Sequence, residues 1–120
     1  MIPVACCIIR NENGQILLAQ KNHGGWEFPG GKQHDDETLF QCAEREILEE
    51  LGIIINPISA GEHTYITGEF ELVPVICDFI EGNLALTEHL DASWIDADQV
   101  AQLDLCTGDR ILWEAFQGGV

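Results

Sequence analysis

The run from residue 39 to residue 52, "LFQCAEREILEELG", constrains this chain more than any other part of it. Leu39, Ala43, Ile47 and Leu51 recur at steps of four, and Phe40, Cys42 and Leu48 widen that line into a stripe. The spacing predicts an amphipathic helix whose apolar side must be buried against another layer. Asp35 or Asp36 is suited to cap its N-terminus, with Glu37 to Phe40 in the first turns. Gly52 supplies the C-terminal stop. A helix this short is marginal by itself, so the rest of the chain has to provide the covering layer.

The flanking segments read as that layer. "VACCII" and "QILLAQK" are short apolar runs separated by "RNENG", and Asn13-Gly14 predicts a hairpin because both residues tolerate positive φ. "KNHGGWEFPGGK" holds four glycines and a proline, which predicts a loop with a brief strand at "WEF" and a backbone free to approach a ligand. After the helix, "IIINPISA", "TYITGEFELVPVICDFI" and "LDASWIDA" read as strands. "DADQVAQL" predicts a short helix capped by Asp96 or Asp98, and "TGDRILWEAF" a terminal amphipathic helix. With 46% apolar residues a packed core is feasible. The order of elements predicts an α+β fold, a mixed β-sheet sandwiched between helices, in one domain spanning residues 1–120.

The central helix also carries four glutamates in nine residues. Residues three and four apart share a face, so Glu46, Glu49 and Glu50 should project together while Glu44 points elsewhere. Each like-charge pair costs roughly 0.2–0.5 kcal/mol. The cluster also lies toward the C-terminal end, where the helix dipole disfavours negative charge. A solvated acidic face is the plain explanation of such a cluster in an acidic protein. Its position just after a glycine-rich loop favours another, because carboxylates and free carbonyls together make a hard oxygen set suited to Mg²⁺ or Mn²⁺, ions that bind substrate phosphates directly. The formal net charge of -16, from 21 Asp plus Glu against five Lys plus Arg, points the same way. Such a field repels nucleic-acid polymers and anionic membranes, and an anionic substrate would need recruited cations.

From Gly31 to Ile53 the sequence "GKQHDDETLFQCAEREILEELGI" resembles the complete signature of the Nudix hydrolase family: Gly, five residues, Glu, seven residues, then Arg-Glu-Ile-x-Glu-Glu-x-Gly-Ile. Gly31, Glu37, Arg45, Glu46, Ile47, Glu49, Glu50, Gly52 and Ile53 fill every fixed position. "WEFPGGK" further resembles the MutT-type branch, and the likeness extends through the opening hairpin, "TEHLDASW" and "GDRIL". The resemblance implies a Nudix fold and Mg²⁺-dependent hydrolysis of a (deoxy)nucleoside triphosphate to monophosphate and pyrophosphate, with 8-oxo-dGTP the leading candidate and CTP close behind. A nucleotide-sensing module without activity is the rival, but such modules lose box glutamates, and all are present here.

Carried over residue by residue, the resemblance implies metal binding by Glu46, Glu49, Glu50 and the carbonyl of Gly30, with Arg45 orienting the glutamates. Glu88 stands at the position of a loop base, the alternatives being Glu49 or Glu50 acting through a metal-bound water. Glu37 reads as helix-end structure, and His89 as a surface residue. For substrate, the implied set is Lys21, Glu27, Phe28, Pro29, Gly30, Lys32 and Asp109. Phe28 would offer a stacking face, and Trp26 would serve packing. Asp109 would accept hydrogen bonds from guanine N1 and N2, or act as a helix N-cap. Two departures stand out: Lys21 replaces the Arg common in relatives and lacks its bidentate fork, and "LCTGDRIL" replaces the usual "PPA" run.

Five cysteines without CxxC spacing fit no disulfide framework and no zinc site. Cys6, Cys7, Cys42 and Cys77 read as small core residues in a reducing compartment. The opening "MIPVACCIIRNENG" has no basic region and too short an apolar run for a leader or a membrane span. The expectation is a cytoplasmic enzyme, monomer or homodimer, acting on a small nucleotide.

Overall fold

The computed structural model describes residues 1–21 and 24–118, so Asn22 and His23 of the glycine-rich loop lie outside it. In chain order come strands β1 (Ile2–Arg10), β2 (Gln15–Gln20), β3 (Trp26–Glu27) and β4 (Gly30–Lys32), helix α1 (Leu39–Leu51), then β5 (Ile54–Ala60), β6 (Tyr65–Thr67), β7 (Phe70–Glu81) and β8 (Asp91–Asp96). A 3₁₀ turn (Ala97–Gln102) and helix α2 (Thr107–Gly118) complete the chain. Among the described residues the eight strands form one mixed sheet. Its centre is the parallel pair β1 and β7, in register from Ile2↔Phe70 to Arg10↔Asp78. All other pairings are antiparallel: β5 and β6 on β7, β4 and β2 on β1, and β3 and β8 on β2.

The unbroken apolar run of β1 is explained by burial on both faces, as is usual for a parallel strand in the middle of a sheet. Successive side chains point to opposite sides. Ala5, Cys7 and Ile9 meet Cys42, Ala43, Ile47 and Leu51 of α1, while Cys6 and Ile8 meet Leu112 and Trp113 of α2. The sheet therefore lies between two helices, as the order of elements predicts. Cys6, Cys7, Cys42 and Cys77 are free and buried in these two cores.

Four local expectations need correction. Helix α1 is capped by Thr38, not by Asp35 or Asp36: Thr38 Oγ1 accepts from Gln41 N at 3.1 Å, and Gln41 Oε1 accepts from Thr38 N at 2.8 Å, a reciprocal capping box. Residues 34–37 form a separate turn that swings the Glu37 carboxylate back onto the helix. Leu48, at the margin of the stripe, is 54% exposed. In the first hairpin only Gly14 has positive φ (76°); Asn11 organises the loop instead, its Oδ1 accepting from Asn13 N and Gln15 N. The segment after β8 is 3₁₀, and Asp96 makes no side-chain capping bond there. At the other end of α1 the expected stop is in place, with Gly52 at φ 69° and its N–H donating to the Leu48 carbonyl.

Candidate active site

Gly30 and Gly31, expected to be loop, form β4 and lie flat between β1 and α1. Gly30 has φ 154°, and a Cβ there would strike the Ala5 carbonyl. A Cβ on Gly31 would strike the Glu46 carboxyl group. The paired glycines thus let the helix bring an acid directly onto the strand.

Arg45 organises the acids around that contact. Its Nε and Nη2 donate to the two oxygens of Glu37 at 2.9 and 2.7 Å, and its Nη1 donates to Glu46 Oε1 at 2.9 Å and Glu49 Oε2 at 3.2 Å. Nη2 also donates to the Lys32 carbonyl at 3.1 Å, which ties β4 to α1. The guanidinium fork holds the Glu37 carboxyl well below the usual range, at about 2, with the His34 N–H contributing. Glu37 is therefore more than helix-end structure; it is the counter-ion that aims Arg45.

Arg45 Nη1 reaches both Glu46 and Glu49, and the charge of Glu46 acts on Glu50, but the three box acids differ in exposure. Glu49 is drawn outward and its side chain is 60% exposed, whereas Glu50, one residue on and about 100° round the helix, is buried. Glu44 is exposed on the far side. Glu50 Oε2 is buried without a hydrogen-bond partner. Burial raises the Glu50 carboxyl to about 9, and the charges of Glu46, Glu88 and Glu27 push the same way. Among the described residues no three His, Cys, Asp or Glu side chains already form a metal cage. The donors nevertheless fit a divalent cation: they are hard oxygens, they repel one another, and one buried oxygen lacks any partner.

The segment after β7 closes over this centre. Ala85 N donates to the Leu51 carbonyl, and Thr87 uses its N–H and hydroxyl on the Glu49 and Glu50 carbonyls, so the loop satisfies the open C-terminal end of α1. Glu88 stays exposed, and its charge is one of those that raise the Glu50 carboxyl. His89, expected at the surface, is buried, with Nε2 3.0 Å from Glu27 Oε2 and 3.9 Å from Glu50 Oε1. Nothing in the hydropathy of "TEHLDASW" marks it, because its burial comes from where the loop is pinned.

On the other side of β4 lies a cavity of ≈ 280 Å³, lined among others by Lys21, Glu27, Phe28, Lys32, Phe70 and Asp109. A larger groove of ≈ 780 Å³ between β5, β7 and α2 contains none of these residues. Asp109 is buried in the first turn of α2, and its Oδ1 accepts the Phe28 N–H at 2.9 Å. It is the third residue of the helix, not its N-cap. Burial lifts its carboxyl to about 7, opposed by the Phe28 N–H and reinforced by Glu27. Lys21 Nζ lies 3.5 Å from Glu27 Oε2, and Lys32 Nζ lies 5.0 Å from the Phe70 ring centroid.

Two expected substrate contacts are largely buried. Phe28 lines the cavity but is only 3% exposed, its ring tilted against Trp113 with centroids 5.9 Å apart. Pro29 is buried, and its carbonyl accepts the Cys7 N–H. The half-buried aromatic ring at the cavity is Phe70, which follows Gly68 in the β6–β7 hairpin and was not anticipated. Trp26 packs against the α2 side of the core, as expected.

The family model described as NUDIX domain matches residues 2–116. The chain is 35% identical over 125 residues to the CTP pyrophosphohydrolase of Escherichia coli, covering 97% of this chain and 91% of that protein. It is 32% identical over 96 residues to the 8-oxo-dGTP diphosphatase of Proteus vulgaris, covering 76% of each. The solution structure of the E. coli ORF135 protein superposes with a TM-score of 0.82 at 32% identity, covering 98% of this chain and 89% of that one. The signature between Gly31 and Ile53, its placement on strand and helix, and these likenesses together assign the chain to the MutT-type Nudix hydrolases, which act on phosphoanhydride bonds.

Proposed function

We propose that this enzyme hydrolyses a (deoxy)nucleoside triphosphate to the monophosphate and pyrophosphate, with Mg²⁺ as the working ion and Mn²⁺ able to replace it. The observation that carries the reading is the buried Glu50 oxygen without a partner, set among Glu46, Glu88 and Glu27 and next to a cavity that holds two of the chain's five Lys and Arg residues. The ion would be held by Glu46, Glu49, Glu50 and the Gly30 carbonyl. It would neutralise phosphate charge and make water a stronger nucleophile.

The protein's own groups do the rest. Lys21 and Lys32 attract the polyphosphate into the cavity. Arg45, aimed by Glu37, orients Glu46 and Glu49 and ties them to the β4 backbone. The exposed Glu88 accepts the proton of the attacking water at its carboxylate. Asp109 keeps one oxygen on the Phe28 N–H and offers the other to the base, where it meets an N–H donor of the nucleobase edge.

Oxidised guanine triphosphate, 8-oxo-dGTP, is the leading substrate. A second reading, CTP, is favoured by the name of the E. coli relative that spans nearly the whole chain. Cytosine N4 and guanine N1 and N2 are all donors to a carboxylate, so a steady-state panel of triphosphates with Mg²⁺ decides between the two. Preference for a sugar-linked diphosphate would defeat both.

A further inference from the structure

The ring of His89 has no solvent exposure, although the residue before it is exposed and the segment around it is irregular. Backbone bonds put it there. Thr87 N donates to the Glu50 carbonyl at 3.2 Å on one side, and Leu90 N donates to the Gln20 carbonyl at 2.8 Å on the other. The two residues between them must bridge the C-terminal end of α1 and β2. His89 turns inward as a result, between Glu50 and β3.

There its Nε2 reaches Glu27 Oε2 at 3.0 Å, while Glu50 Oε1, at 3.9 Å, is out of hydrogen-bond range. A carboxylate only accepts, so its position assigns the ring proton to Nε2. Nδ1 is then left buried with no partner. An unpaired buried polar group is costly. An apolar side chain would fill the space without that penalty, so the N–H toward Glu27 is what the histidine adds. Glu27 is an acid worth holding still. It lines the nucleotide cavity, sits 3.5 Å from Lys21 Nζ, and its charge acts on both buried carboxyls, Glu50 and Asp109.

We propose that His89 is a positioning residue whose Nε2–H fixes the Glu27 carboxylate, beside Lys21, at the boundary between the nucleotide cavity and the acidic centre. The bond gives Glu27 one orientation, so that it forms a wall of the nucleotide site while the free Glu50 oxygen stays available to a cation. This rests on the nucleotide reading of the cavity given above.

Three measurements on the full chain test it. In ¹⁵N spectra of the wild-type protein, His89 shows Nε2 protonated and Nδ1 bare; a proton on Nδ1 alone overturns the proposal whatever the activity. His89→Leu, which removes the N–H from a buried site, raises KM for the preferred triphosphate about 10-fold, the scale seen when a partner that orients a site ligand is lost. Its kcat stays within about 3-fold, and Mn²⁺ binding read by electron paramagnetic resonance stays within about 2-fold of wild type. His89→Gln, which keeps an N–H donor, returns KM to within about 3-fold. A wild-type KM in His89→Leu, or equal damage from Gln and Leu, overturns it. Absence of triphosphate hydrolysis by the wild-type protein would instead sink the functional reading, and the nitrogen spectrum would still decide the role of His89.

Discussion

The two helices that sandwich the sheet each bury one carboxylate beside the same cavity and acidic centre, and they treat it in opposite ways. Asp109 sits in the first turn of α2, where the helix dipole favours negative charge and the Phe28 N–H donates to it. Glu50 sits near the C-terminal end of α1, where the dipole opposes it, with three acids around it and one oxygen unpartnered. The carboxyl of Asp109 is raised to about 7 and that of Glu50 to about 9. What separates them is the supply of donors. The protein satisfies Asp109 from its own backbone and leaves one Glu50 oxygen without a donor, which is what the proposed cation site requires.

Glu50→Gln should produce the largest effect. Losing a cation ligand worth several kcal/mol of transition-state stabilisation lowers kcat about 10³-fold. The same variant should make the metal-free protein more stable, on the order of 2 kcal/mol at pH 7, because folding no longer has to take up a proton at this buried acid. The sign is that of an acid raised in the fold: its stability contribution is complete below the unfolded value of 4.5 and is lost as pH rises toward about 9, so the gain from Gln grows across that window. Urea melts in EDTA at several pH values measure it. A variant as active as wild type would erase the contrast between the two acids.

Chelation comes next. EDTA should abolish turnover, and Mg²⁺ should raise the melting temperature of the wild type by mass action but not that of Glu50→Gln. Equal shifts in both proteins would place the ion elsewhere.

Arg45→Lys sharpens the α1 side of the comparison. Lysine keeps the charge but cannot bind both oxygens of Glu37 and also reach Glu46 and Glu49. A loss of about 10- to 100-fold in kcat/KM is expected, as for other residues that orient site ligands. Glu37→Gln should give a loss of the same kind, and full activity in both would show the fork to be incidental.

Asp109→Asn should show the smallest effect. The wild type loses stability as pH rises from the unfolded value of 3.8 through about 7, since over that range the unfolded chain releases this proton and the buried acid keeps it. Asn still accepts the Phe28 N–H, so the variant lacks this slope, and wild type and variant should converge near pH 4. Parallel pH–stability curves would mean that Asp109 is not the buried acid the fold makes it.

Some of this was fixed locally and is plain in the chain itself. The stripe Leu39, Ala43, Ile47 and Leu51 with Gly52 after it specifies α1, because helical periodicity and a left-handed stop depend on near neighbours. Spacing also brings Arg45 to Glu49, one turn on, and the signature from Gly31 to Ile53 identifies the family before any fold is known. Contacts between distant segments settled the remainder. Glu37 belongs to Arg45 only because a turn folds it back. Phe28 packs against Trp113 because α2 covers that side of the sheet, and Phe70 joins it at the cavity from the β6–β7 hairpin. His89 is buried only because Thr87 is tied to α1 and Leu90 to β2. A sequence specifies which groups a residue carries and which neighbours share its helix face. Whether a carboxylate meets an N–H, a guanidinium or another acid depends on strands and loops brought together across the sheet, and that alone separates Asp109 from Glu50.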